Sequence, residues 1–60
     1  MDNFAQALRE ARKNAVLTQQ GMSDLMDIPK RTIEEWERGN RIPPNYVQRF
    51  VLNELNSLKK

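Results

Sequence analysis

The sequence predicts an all-α fold, a compact domain of four helices, on three observations. Apolar residues recur three and four positions apart in four separate stretches, the spacing of a helix face. Between those stretches stand residues that end or restart helices: Asn14, the Asp27-Ile28-Pro29 break, and Gly39-Asn40. Nowhere do apolar and polar residues alternate with the period of two that a half-buried strand requires.

The helices are expected over roughly residues 2–14, 18–26, 29–38 and 44–58. In the first, Phe4, Leu8, Ala11 and Ala15 share one face; Asp2 or Asn3 can cap its start, and Asn14 can end it because Asn tolerates left-handed geometry. Thr18 is a suitable N-cap for the second, where Met22, Leu25 and Met26 form the apolar side and Gly21 costs about 1 kcal/mol against alanine. Pro29 disfavours helix at Ile28 and favours it in the turn that follows, so a break of about three residues leads straight into the third helix. Ile33 and Trp36 are its inner side and Gly39 its stop. Pro44 or Asn45 opens the last helix, with Tyr46, Val47, Phe50, Val51, Leu55 and Leu58 as its apolar stripe. Lys59 and Lys60 are expected to fray.

Size and composition narrow the function. Sixty residues make one domain, spanning 1–60, with a core near the lower limit for independent folding. The chain has no cysteine and no histidine, so neither a disulfide nor a zinc site is expected, and no cofactor is implied. No apolar run approaches the ~20 residues of a membrane span, and the N-terminus has no signal-peptide pattern, so a cytoplasmic protein is expected. No glycine-rich phosphate loop or nucleophile–base set is present, and an enzyme is not expected. The net charge of +2 says little by itself, but Lys30, Arg31, Arg38 and Arg41 cluster within a short stretch.

Two short helices about a tight turn make a helix-turn-helix. Ser23 supplies the small residue where the helices approach, and Asp27 stands where the turn needs positive φ. Met22, Met26, Ile28, Ile33 and Trp36 close the wedge between the helices, and with Phe4, Leu8, Val47, Phe50 and Val51 they form the expected core. Trp36 and the methionines fit packing better than base stacking or ligation.

Over about residues 4 to 55 the sequence resembles the Cro/repressor-type (XRE) helix-turn-helix proteins of phages and bacteria. The resemblance is carried by Leu17-Thr18-Gln19, Ser23, Asp27 and Trp36-Glu37-Arg38-Gly39, within the run LTQQGMSDLMDIPKRTIEEWERGNRIPP. Asp27 replaces the family's turn glycine, and the fifth helix of the phage repressors has no counterpart in these residues. The resemblance implies a lambda-repressor-like fold and a partner in double-stranded DNA. It implies that Lys30, Arg31 and Glu35 face base edges, where basic side chains donate to guanine and a carboxylate accepts from cytosine. An acid there repels phosphate unless it selects a base or braces Arg31 one turn away. Thr18, Gln19, Gln20, Thr32, Arg38, Asn40 and Arg41 match positions along the DNA backbone. Arg12 and Glu37 match a pair that bridges the first and third helices as a structural salt bridge. Leu52 and Leu55 are surplus apolar residues that could form a dimer seam, with two recognition helices about 34 Å apart on a near-palindromic site.

The expected function is a sequence-specific transcriptional regulator, a repressor of phage or antitoxin type, with a homodimer partner or a cognate toxin left open. The alternative is a protein-interaction module that keeps the fold without binding DNA, which the acids Glu34 and Glu35 on the third helix favour.

Overall fold

The four helices are started by an amide, a hydroxyl and two prolines. The computed structural model describes residues 3–58, so Met1, the alternative cap Asp2, and the terminal Lys59 and Lys60 lie outside the described residues. Asn3 caps α1 (Phe4–Asn14), its side-chain oxygen accepting from the Gln6 N–H at 3.2 Å. Thr18 caps α2 (Gln19–Met26), its hydroxyl accepting from the Gly21 N–H at 2.9 Å. Pro29 and Pro44 precede α3 (Lys30–Arg38) and α4 (Asn45–Ser57). Both prolines have extended ψ and so sit outside the helices, one position earlier than the first helical residue expected for Pro29.

α1, α2 and α3 finish in one way, on a residue in the left-handed region: Val16 at φ 59, Asp27 at φ 58 and Gly39 at φ 81. In each case the next N–H reaches back five residues: Leu17 to the Arg12 carbonyl (3.1 Å), Ile28 to Ser23 (3.2 Å), Asn40 to Glu35 (3.0 Å). This closure satisfies orphan carbonyls and turns the chain sharply. Glycine enters the region freely and aspartate tolerates it; a β-branched valine does so only against steric strain. Asp27 thus does the job expected of the turn glycine. Val16 carries no such signal in sequence.

The reversals let α1 pack on α3 and α4, and α2 on α3. Leu8, Met22, Ile33, Val51 and Leu55 are the fully buried centre; Phe4, Ala11, Ala15 and Trp36 complete it. Phe4 and Trp36 meet edge to face, ring centroids 5.9 Å apart and planes at 70°. The radius of gyration, 10.3 Å, equals the ~10.4 Å that size scaling gives for a packed chain of this length.

The sequence expectations need correction on α4. Phe50, expected in the core, is 60% exposed, and Leu55, expected in a dimer seam, is 0% exposed. The inward line of α4 is Val47, Val51, Leu55 and Leu58, at steps of four, four and three. Phe50 and Tyr46 lie four apart on a neighbouring line that faces outward, as does Leu25 of α2. Met26, Ile28 and Val47 are half-buried packing partners rather than members of the buried centre, and Leu52 is likewise half-buried against it.

Two stability measurements follow. Leu55→Ala is expected to cost ~2–5 kcal/mol in denaturant unfolding, and Phe50→Ala a small fraction of that. Val16→Gly removes left-handed strain of ~1–2 kcal/mol against a smaller entropic penalty. A net gain of ~0.5–1 kcal/mol should raise the thermal midpoint by several degrees; a fall would mean that Val16 is unstrained.

Candidate nucleic-acid interface

The orientation of α3 is set by a buried carboxylate. Glu37 is 6% exposed, and a buried charge is tolerable only when its oxygens are fully engaged. Arg12 of α1 meets it with two donors, Nε to Oε2 at 2.7 Å and Nη2 to Oε1 at 3.2 Å, the paired geometry that guanidinium and carboxylate favour. Gln19 of α2 donates from Nε2 to Oε1 at 3.1 Å. Arg12 Nη1 also donates to the Leu17 carbonyl at 2.9 Å, and Arg9 Nη1 to the Glu37 carbonyl at 2.6 Å. Among the described residues no buried side-chain nitrogen or oxygen lacks a partner. One carboxylate therefore ties α1, α2 and α3 together, and the structure brings Arg12 and Glu37 into direct contact. Arg9 was not singled out in sequence, although it lies three residues before Arg12 and so on the same side of α1.

The turn between α2 and α3 is locked separately. Ser23 Oγ donates to the Ile28 carbonyl at 2.6 Å, which holds the strand of backbone between Asp27 and Pro29 against α2. Ser23 is thus small enough for the close approach and also a fastening.

What this frame presents outward is the first turn of α3. Lys30 and Arg31 are exposed, Thr32 is half-buried, and a shallow depression runs between Pro29, Arg31, Thr32, Glu35, Trp36 and Arg41. Nine residues give α3 a length of ~13.5 Å, and a helix with its side chains is ~10–12 Å across, the size that a major groove ~12 Å wide admits.

The remaining candidate residues are distributed around this face with distinct attachments. Thr18 Oγ1 accepts from the Gly21 N–H, which leaves its hydroxyl hydrogen to donate. One Gln19 amide hydrogen goes to Glu37, which leaves the second. Gln20 Nε2 donates to Asp24 Oδ1 at 3.0 Å along the surface of α2. Arg38, Asn40 and Arg41 are all exposed at the end of α3. Glu35 does not brace Arg31; its partners are Asn40 and Arg38, because the carboxylate extends toward the C-terminal end of α3. Glu34 is half-buried.

A tightly turned helix pair, with the second helix oriented from behind and basic residues on its free first turn, defines a helix-turn-helix domain. The model of the helix-turn-helix family matches residues 8–50, and the chain belongs to that family, as a DNA-binding regulator of the Cro/XRE type. No curated protein and no solved structure matches the chain at a significant level. No described helix is long and apolar enough to cross a membrane.

Removing one partner of a buried pair strands the other charge, at a cost of ~3–5 kcal/mol. Glu37→Gln and Arg12→Ala should therefore lose most of the cooperative thermal transition, since a core of this size supplies only a few kcal/mol. Asp24→Ala, which breaks the exposed contact to Gln20, should stay within ~0.5 kcal/mol. A Glu37→Gln variant with wild-type stability would remove Glu37 from the centre of the fold.

Proposed function

We propose that this protein is a sequence-specific transcriptional repressor that acts by occupying duplex DNA at a promoter. The observation that carries the reading is the exposure of Lys30 and Arg31 on the first turn of a helix whose back is fastened through Glu37. In this reading α3 enters the major groove, and Lys30 and Arg31 donate to base edges, with guanine O6 and N7 as the favoured acceptors. Gln19 and Gln20 at the start of α2, with Thr18, Thr32, Arg38, Asn40 and Arg41, lie along the backbone and set register without carrying sequence information. The α2 N-terminus adds its partial positive charge near phosphate.

A homodimer on a near-palindromic site fits this role, with half-sites about 34 Å apart. Its seam excludes Leu55, which is buried within the protomer. Phage-type and antitoxin-type repressors are both compatible with the same interface. A second reading, a protein-interaction module, is favoured by one observation: Leu25, Tyr46 and Phe50 are large apolar side chains exposed on α2 and α4.

Binding to a random duplex library at about 50 mM salt, followed by salt titration of the recovered duplexes, decides between them. The repressor reading expects an enriched, roughly two-fold symmetric site, with log affinity falling by ~0.9 per phosphate contact against log salt. Arg31→Ala should lose the preference at one position per half-site, at ~1–3 kcal/mol. No enrichment from a folded sample would leave the protein-interaction reading in its place.

A further inference from the structure

We infer that Glu35 is a positioning residue that holds the α3–α4 loop in its DNA-binding geometry, and that it does not read a base. This rests on the DNA-binding reading above and assigns a different role to one residue of that site.

By sequence position Glu35 faces the groove, where a carboxylate could accept from a cytosine amine. The structure turns it elsewhere. Oε1 accepts from Asn40 Nδ2 at 3.1 Å, and Oε2 lies 3.8 Å from Arg38 Nη1. The main chain of the same residue does parallel work: its carbonyl accepts the Asn40 N–H at 3.0 Å and the Arg41 N–H at 3.4 Å. Glu35 therefore closes the left-handed turn at Gly39 from both its backbone and its side chain. Asn40 and Arg41, which Gly39 would otherwise leave on a freely pivoting segment, are held next to α3.

The electrostatics agree. A carboxylate on a phosphate-facing surface opposes binding, and the opposition is least when the charge is shared with an adjacent guanidinium and an amide. Arg38 and Asn40 supply both, on the side of Glu35 away from Lys30 and Arg31. Arg31, without Glu35 as a partner, is left to reach the groove. Arg41 lines the same shallow depression as Arg31 and Glu35, so a fixed loop keeps both arginines at that depression. Ordering the loop before DNA arrives removes an entropic cost from binding.

The test compares wild type, Glu35→Gln, Glu35→Ala, Asn40→Ala and the double variant Glu35→Ala/Asn40→Ala, each checked for folding by its thermal transition. Each is passed through the random-duplex selection and then titrated with salt. Glu35→Gln keeps the Oε1 acceptor and should recover the wild-type sequence at every position, with affinity at least as high. Glu35→Ala and Asn40→Ala should recover the same sequence with binding about five- to tenfold weaker. Their salt slope should be reduced by about 0.9, one lost phosphate contact. The double variant should bind no more weakly than the weaker single variant, because both remove one latch. Without DNA, amide hydrogen exchange at Asn40 and Arg41 should quicken in Glu35→Ala and stay slow in Glu35→Gln. A changed base preference at one position in Glu35→Gln or Glu35→Ala would overturn the inference and make Glu35 a reader. So would independent, multiplying effects in the double variant. Failure of wild type to bind any duplex, with exchange behaving as expected, would overturn the DNA-binding role and not the latch.

Discussion

What α3 presents to solvent depends on one carboxylate that the protein hides. Glu37 lies on the inner side of α3 and accepts from Arg12 of α1 and Gln19 of α2, so the three helices share a single charged junction. Hydrophobic contacts alone would leave α3 free to rotate or slide by fractions of a turn, since dispersion and burial are non-directional. A guanidinium–carboxylate pair with two donors is directional, and a third donor from α2 leaves few ways to satisfy it. Glu37 shares α3 with Ile33 and Trp36, which are themselves buried, so the junction is anchored on the same helix that carries part of the core. A buried pair of this kind is weak evidence for stability compared with apolar residues in its place, but it specifies one arrangement where apolar residues would permit several.

A second constraint works through the backbone. Three consecutive helices are each terminated by a residue in left-handed conformation, which makes short connections possible in a chain with little length to spare. Their legibility in sequence follows their chemistry. Gly39 is the ordinary residue for such a site, and Asp27 is a tolerable one in a break already marked by Pro29. Val16 is neither, because β-branching opposes the conformation that the surrounding contacts impose. Burial of Ala15, the reach of Leu17 N–H to Arg12, and the Arg12 bond to the Leu17 carbonyl together hold it there. The closing bonds are local, but Arg12 is itself fixed by Glu37 and Ala15 is buried in the core, and those tertiary ties override the local preference of Val16.

Helix existence and approximate bounds were readable because the signals are local: Thr18 and Gly39 act within one turn of themselves, whereas sequence leaves open the choices between Asp2 and Asn3 and between Pro44 and Asn45, and it puts Pro29 one residue inside α3. The inner line of α4 was not readable, and the reason is geometrical. Its sequence offers two adjacent apolar lines, Tyr46–Phe50 and Val47–Val51–Leu55, about 100° apart, and periodicity alone does not say which faces α1. The apolar stripe puts Phe50 beside Val51 in the core and Leu55 in a seam, yet the fully buried residues of α1 and α4 are Leu8, Val51 and Leu55. The site shows the same division. The positions of Lys30 and Arg31 followed from the motif, whereas the attachments of Glu35 depend on how the chain turns after Gly39.

The two acids Glu35 and Glu37 stand two residues apart on one helix, which puts them on opposite sides of it. They differ in environment and hence in what they can do. Glu37 is enclosed, engaged by groups from two other helices, α1 and α2, and so governs the angle at which α3 leaves the body of the protein. Glu35 is at the rim, engaged by Arg38 at the end of α3 and by Asn40 just beyond it, and so acts on the turn that leaves the helix. Acidic residues on a DNA-facing helix are often a liability for affinity, since they add repulsion where phosphate approaches. Here each is paired with basic or amide groups of the protein before any ligand is present, and Arg31 and Arg41, like Arg9 and Arg49 elsewhere on the surface, are exposed with no acid partner among the described residues. The modest net charge of +2 is therefore compatible with nucleic-acid binding, because two of the three acids of α3, Glu35 and Glu37, are already engaged within the protein.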